Sequence, residues 1–299
     1  MYEYTIARGL IISMKNNAFL ILGGDSRSLY LGEYLEKQKF NVCYYAFNDT
    51  DCFDNLNKAI EEASVIILPL PASRDRISLN TPLFDETVLL SDICTLATPD
   101  KIIFGGQLPK SFCEELNSKG IFFCDYFLLE ELSVYNAVPT AEGVLNILIE
   151  KLPITVQGMR CGIAGYGKVG KALGKALHSL GAQVTVFARR EQSLAEAFSC
   201  GLRAKHIEAL TSEFHSFDVV INTVPSRIIG AEELKHLSPD CLLIETASAP
   251  FGIDFQSAKE NATEVIKAAS LPGKVAPKTA GEIIGRSILP IIRQRGFDQ

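Results

Sequence analysis

At 299 residues, 47% of them hydrophobic, the chain can bury two ordinary cores but hardly three, so two domains are expected. A formal net charge of −6, with no Lys/Arg block, argues against the broad basic face that nucleic-acid binding needs. No apolar run reaches membrane-spanning length, the first residues lack a secretory signature, and the eight cysteines show neither Cys-x-x-Cys nor zinc spacing. The expectation is a cytoplasmic protein with reduced thiols, no metal and no membrane contact.

Ahead of Ala18 no regular pattern is evident, and Met14 offers an alternative start. Ala18 to Leu22 reads as a buried strand, Gly23-Gly24-Asp25 as its turn, and Ser26 to Lys39 as a helix with Ser26 as its cap. A strand at Phe40 to Phe47, a short helix near Phe53 to Ala63 and a strand at Ser64 to Leu70 follow. Residues 72–100 read as a long connection with short helical pieces such as Phe84 to Leu90. Strands at Lys101 to Gly106 and Gly120 to Asp125 flank a helix from Pro109 to Lys119, and another short helix is expected around Phe127 to Ser133. Tyr135-Asn-Ala-Val-Pro139 reads as a hinge, after which Thr140 caps a helix from Ala141 to Lys151.

The next stretch carries the chemistry. Arg160-Cys-Gly-Ile-Ala-Gly165-Tyr-Gly167-Lys168-Val169-Gly170 puts an apolar run directly into Gly-x-Gly-x-x-Gly, and an Ala/Leu-rich helix and a second β-branched run close the unit. That order is what a βαβ dinucleotide-binding crossover requires: Gly165 for the turn, Gly167 for close approach of the pyrophosphate, Gly170 for helix packing. Phosphates then sit on free N–H groups at the positive end of the helix. Between Gly170 and Arg190 there is no acid to hold a ribose 2′-hydroxyl. Ala188 stands in its place, followed by Arg189 and Arg190, two guanidinium forks suited to a 2′-phosphate, so NADP is expected over NAD.

Helices near Glu191 to Ser199 and Ala231 to Leu237 then alternate with strands at Asp218 to Thr223, Cys241 to Thr246 and Thr263 to Ala268. The strand-end turns, with Thr223, Val224, Pro225 and Ala247, are expected to line the nicotinamide side. Thr279 and Glu282 have capping-box spacing at the start of a last helix whose apolar face is Ile283, Ile284, Ile288 and Leu289. The fold class is therefore α/β, two doubly wound parallel-sheet domains with a cleft between them. Residues 1–138 form a flavodoxin- or Rossmann-like substrate domain, 139–157 a linking helix and hinge, 158–278 the NADP-binding Rossmann domain, and 279–299 a helix packing back toward the first.

These segments together resemble the A subunit of dipicolinate synthase. The resemblance rests on Gly23-Gly24-Asp25 with Arg27, on Tyr135 to Gly143, on Gly165 to Gly170, on Ile221 to Ser226 and on Leu271-Pro-Gly-Lys-Val-Ala-Pro-Lys-Thr-Ala-Gly281, spanning Ala18 to Leu289. It implies an oxidoreductase of endospore-forming bacteria that makes pyridine-2,6-dicarboxylate from dihydrodipicolinate or hydroxytetrahydrodipicolinate, on a branch of the lysine pathway, with the flavoprotein-like B subunit of dipicolinate synthase as partner. The sequence departs from that family at Ala249-Pro250-Phe251-Gly252, where an arginine usually precedes a Pro-Gly-Gly turn, so no role of that arginine carries over.

A small dianionic substrate needs cations, and Arg27, Lys274 and Lys278 are offered for it, with Thr140 beside them and Arg74 as a weaker candidate; each cation also has a plainer reading as a surface charge. For proton transfer the candidates are Glu142, near the hinge, and Glu245, at a strand end, either of them a carboxylate whose pKa a dry cleft would raise; Lys278 is paired with Glu142 as the catalytic set. Glu142 has a second reading as a charge stabilising its helix's first turn. His178, His206, His215 and His236 are placed away from strand ends, which disfavours a histidine base. A 2-hydroxyacid or amino-acid dehydrogenase of the same build is the alternative enzyme, and a non-catalytic cofactor-binding subunit or sensor the alternative class; a homo-oligomer is left open.

Overall fold

The computed structural model describes residues 18–297, which divide into two compact units: the described residues up to Leu132 together with those from Pro277 on, and Ser133–Ala276.

In the first unit β1 (Ala18–Leu22), α1 (Ser26–Lys37), β2 (Asn41–Tyr45), α2 (Leu56–Glu62), β3 (Val65–Ile67), α3 (Leu90–Leu96), β4 (Ile102–Gly105), α4 (Lys110–Ser118) and β5 (Phe122–Asp125) alternate in order. All strand pairs are parallel, and the sheet order is β2-β1-β3-β4-β5, the flavodoxin-like winding. β1, β3 and β4 are buried throughout, because helices cover both faces of such a sheet and leave no solvent side for polar residues. The N-cap of α1 is Asp25 rather than Ser26: its carboxylate accepts the Arg27 N–H at 3.0 Å. The helical piece in the long connection is α3, not Phe84 to Leu90. Leu79, Val88, Leu90 and Ile93 are buried in the core on that side of the sheet, so the connection is a cover held by packing.

The last helix, α12 (Pro277–Gln294), belongs to this unit. Ile283, Ile284, Ile288 and Leu289 are buried with Phe19, Leu31 and Leu35. Its contact with α1 is close because Gly281 and Gly285 present no side chain: a Cβ on Gly281 would overlap the Arg27 carbonyl oxygen and lie 2.9 Å from Leu31 N. The helix starts at Pro277, which puts Thr279 inside the first turn, so the expected capping box does not form.

The second unit opens with the greater part of α5 (Glu130–Lys151), one helix of 22 residues. The hinge read at Tyr135 to Pro139 is helical, and Thr140 is mid-helix, its hydroxyl donating to the Asn136 carbonyl at 2.6 Å instead of capping. Pro139 removes one helical donor, yet the helix continues because Ala137, Ala141, Val144 and Leu148 recur on one buried face. Then come β6 (Arg160–Ala164), α6 (Lys168–Ser179), β7 (Gln183–Ala188), α7 (Glu191–Ser199), β8 (Arg203–His206), α8 (Leu210–Glu213), β9 (Val219–Asn222), α9 (Ala231–Leu234), β10 (Leu242–Glu245), α10 (Phe255–Glu260), β11 (Val265–Lys267) and α11 (Leu271–Val275). The parallel sheet runs β11-β10-β9-β6-β7-β8, the Rossmann order with its switch point between β6 and β9. β8 has no counterpart among the strands expected from the sequence, and it places His206 at a strand end, in register with Ala188.

Candidate dinucleotide site

At the switch point the fingerprint glycines meet the turn after β9. Gly165 has φ +96, and a Cβ there would lie 2.8 Å from Val224 Cγ2 and closer still to Thr223 Oγ1. A Cβ on Gly170 would overlap the Gly165 carbonyl oxygen, so the start of α6 packs directly on the turn. Gly167 differs: nothing lies within 4 Å of where its Cβ would be. Protein packing does not demand glycine there, whereas a phosphate drawn onto the main chain does. Thr223 closes the floor by donating its hydroxyl to the Ala164 carbonyl at 2.9 Å.

Above this turn lies a cavity of about 370 Å³ that collects Gly165, Gly167, Arg189, Arg190, Thr223, Val224 and Pro225 from the sequence-derived set. Lys168, Val169 and Gly170 form the first turn of α6 beside it, with Lys168 Nζ donating to Ser133 Oγ of α5 at 2.5 Å. Ala188 ends β7 buried, and Arg189 and Arg190 follow it exposed on the cavity rim. Ser193, which the sequence motifs leave unmarked, also lines the cavity, and its N–H bonds the Arg190 carbonyl at 2.9 Å. Its one signal is its position in the first turn of α7, a helix end that favours an anion and to which Ser193 adds a hydroxyl. The residues present therefore fit a dinucleotide: a glycine cradle for the pyrophosphate and two unobstructed guanidinium groups beyond an acid-free strand end.

Ala247 does not line that cavity; it belongs to the loop after β10, and its N–H donates to Glu245 at 2.8 Å. Glu245 is 1% exposed and also accepts Gly252 N at 2.8 Å, Ile253 N at 2.9 Å and the Asn222 amide at 2.8 and 3.0 Å. Both carboxylate oxygens are filled by donors, so Glu245 is a loop anchor and not the base considered from the sequence. Asn222 Oδ1 accepts Val224 N at 3.0 Å while its Nδ2 also donates to Val224 O at 3.0 Å, which fixes the amide orientation and ties the Thr223 turn to the same anchor. Neither role showed in the sequence, although both residues close their strands.

The proposed substrate and catalytic residues are more dispersed. Thr140 lies on α5 and Lys274 exposed on α11, both in the second unit; Glu142 is exposed in the middle of α5, neither in a dry pocket nor in a first turn. Arg27 and Lys278 lie in the first unit, Lys278 exposed in the first turn of α12. Arg27 is buried and spent internally: Nε and Nη2 grip Asp25 at 2.9 and 2.7 Å, and Nη2 donates to Leu70 O at 2.6 Å. Burial raises the Asp25 carboxyl, but the Arg27 hydrogen bonds and charge, with Arg74 behind them, hold it below the usual range. A guanidinium so committed is a poor substrate ligand. His206, exposed and 3.4 Å from Glu208, stands on the β7–β8 side, where the adenosine end of a dinucleotide belongs. No metal-binding cluster of His, Cys, Asp and Glu occurs among the described residues, and none of their helices is long and apolar enough to cross a membrane.

Residues 18–127 match the family described as the N-terminal domain of the dipicolinate synthase A subunit. Residues 148–252 match the NAD binding domain of D-isomer specific 2-hydroxyacid dehydrogenases, which makes the second unit a nicotinamide-dinucleotide domain of dehydrogenase type. The A subunit of dipicolinate synthase from Bacillus subtilis strain 168 is 28% identical over 92% of this chain and 95% of its own. Solved structures of the same protein from Bacillus halodurans (TM-score 0.85, 25% identity, 92% of this chain and 97% of that one) and from B. subtilis (0.84, 27%, 94% and 97%) have the same fold.

Proposed function

Because this chain is a homologue of the dipicolinate synthase A subunit over nearly its whole length, we propose that it is the dehydrogenase-type component of a dipicolinate-forming enzyme, taking NADP(H) and working with a B subunit. The observation that carries the coenzyme assignment is the pair Arg189 and Arg190, exposed on the cavity rim past a strand end that holds no acid. A 2′-phosphate there gains two charge-assisted donors, whereas the 2′-hydroxyl of NAD finds no carboxylate acceptor.

The substrate is a small cyclic dicarboxylate, dihydrodipicolinate or, with loss of water, hydroxytetrahydrodipicolinate. When bound, the nicotinamide ring accepts a hydride at its C4. Loss of that hydride and one proton turns the dihydropyridine into an aromatic pyridine, whose stability drives the reaction. The protein then has to orient the ring and hold two carboxylates, for which Lys274, in the same unit as the dinucleotide cavity, presents an exposed ammonium group. Glu142, open to solvent, is suited to passing the proton to water rather than storing it. Asn222 and Glu245 act through the loops they tie, by fixing Thr223, Val224, Pro225 and Ala247.

Calorimetric titration of NADP⁺ and NAD⁺ into wild type and Arg189→Ala tests the coenzyme assignment. At least about tenfold tighter binding of NADP⁺ is expected, falling toward parity in the variant. Equal affinity in wild type would remove the argument. Absorbance of the pyridine product, followed with NADP⁺ and freshly made dihydrodipicolinate, with and without the B subunit, tests the reaction itself.

A further inference from the structure

The second unit contains one buried polar atom that neither the packing nor the proposed chemistry uses. Asn136 Oδ1, on α5, has no hydrogen-bond partner among the described residues. A buried carbonyl oxygen without a donor is costly, and such atoms persist where a ligand completes them.

The position of α5 says which ligand. At 3.6 residues per turn Ser133, Asn136, Thr140 and Gly143 fall within about 80° of one another, on one stripe of the helix. Ser133 Oγ receives Lys168 Nζ, so the start of the stripe touches the first turn of α6, at the carboxyl ends of the strands. Gly143 abuts α11 past β11, where a Cβ would lie 2.7 Å from Leu271 Cβ. Further along, Val144 and Leu148 pack with Cys161, Ile163, Leu242, Ile244 and Leu271 on one sheet face, and the chain returns to the start of β6. The helix thus descends from the carboxyl-end rim on the β9–β10–β11 half of the sheet. That is the half opposite Arg189 and Arg190, which follow β7.

A dinucleotide whose adenosine ends at those arginines and whose pyrophosphate crosses Gly167 extends its nicotinamide toward that half. We propose that Asn136 Oδ1 accepts a hydrogen bond from the carboxamide NH₂ of the nicotinamide and sets the orientation of the ring. This rests on the reading that the unit takes a nicotinamide coenzyme. The oxygen accepts only, so it suits a neutral N–H donor; the amide turned over would instead offer Nδ2 to a carboxylate, and Asn136→Asp, which keeps acceptors and removes that donor, separates the two. Thr140 Oγ1 has already donated its proton to the Asn136 carbonyl, which leaves no competing donor from that hydroxyl for Oδ1.

The test compares NADP⁺ with its 3-acetylpyridine analogue, in which a methyl group replaces the NH₂, and with adenosine 2′,5′-bisphosphate, which lacks the nicotinamide half; the NAD pair is read in parallel. Wild type should bind the carboxamide coenzyme about tenfold more tightly than the acetylpyridine one. Asn136→Ala should bring the two within about twofold and leave adenosine 2′,5′-bisphosphate affinity unchanged, which also reports that the unit is folded. Asn136→Asp, which keeps an acceptor, should retain the preference. A wild type that does not discriminate, an Asn136→Ala variant that still does, or loss in both variants overturns the proposal. A wild type that binds neither NADP⁺ nor NAD⁺ would instead overturn the coenzyme reading beneath it.

Discussion

Replacing Glu245 by alanine should be among the most damaging single changes in the second unit. Its two oxygens accept from Asn222 Nδ2, Ala247 N, Gly252 N and Ile253 N, and the residue is 1% exposed, so water cannot take its place without opening the loop. A buried donor left unsatisfied costs about 1–3 kcal/mol, and the change to alanine leaves four neutral donors without their acceptor. Partial relaxation of the loop at residues 246–253 puts the expected loss at about 3–5 kcal/mol, a large share of the roughly 5–15 kcal/mol that holds a domain folded. Glutamine does not rescue it, since both oxygens accept and the new NH₂ would face a donor whichever way the amide turns. Guanidinium unfolding followed by circular dichroism gives the stability, and NADP⁺ titration below the transition gives the coenzyme affinity. A loss under about 1 kcal/mol for both Glu245→Ala and Glu245→Gln would refute the anchor role.

Gly281→Ala should cost about 1–3 kcal/mol, because the new methyl would overlap the Arg27 carbonyl of α1, and backbone yields less readily than a side chain; a denaturant midpoint equal to wild type would contradict the close helix contact. The Asp25–Arg27 pair contributes stability that is fully present above the ordinary carboxylate pKa of about 4 and is lost as pH falls through the lower folded value; Asp25→Asn should flatten the acid limb of a stability–pH curve below pH ~4, and an unchanged limb would exclude the pair. Thiol labelling of the native protein should modify the exposed Cys52 and Cys200 first, while Cys124, where burial pushes the thiol up to about 11, and Cys241, pushed up to about 12, react only on unfolding; fast modification of either buried thiol would count against the packing.

The alternation of strand and helix was readable from the sequence because parallel strands buried on both faces leave unbroken apolar runs such as Ala18 to Leu22 and Val219 to Ile221. β8 escaped because it is an edge strand, Arg203-Ala-Lys-His206, with no buried residue to set a pattern. The break assumed at Pro139 failed for the opposite reason: local chemistry said stop, and the burial of Ala137, Ala141, Val144 and Leu148 outweighed one missing hydrogen bond. In the site, the glycine fingerprint and the arginine pair were legible as residue types at fixed spacing. Glu245, Asn222 and Asn136 were not, since a carboxylate that catalyses and one that ties a loop are spelled alike. Only the four donors around Glu245 and the absence, among the described residues, of one beside Asn136 Oδ1 separate those roles.

The two units share a winding principle, and the difference at their first βα turns decides where a dinucleotide goes. After β1, Gly24 is hemmed in: a Cβ there would overlap Ser28 Oγ and lie 2.9 Å from Pro69 Cβ, so the space a pyrophosphate would need is filled by protein. The same turn carries Asp25, whose carboxylate already accepts an N–H at the positive end of α1 and draws in Arg27. A phosphate arriving there would meet a fixed negative charge and a helix end already capped. After β6 there is neither obstacle: Gly167 faces open space, α6 begins without a side-chain cap, and no acid stands in its first turn. Placing an aspartate at Gly167 should therefore reproduce the first unit's condition in the second. Gly167→Asp is expected to abolish coenzyme binding while leaving the unfolding transition within about 1 kcal/mol of wild type, since the added side chain meets no protein atom. Retained NADP⁺ affinity in that variant would mean that the coenzyme does not lie on this turn.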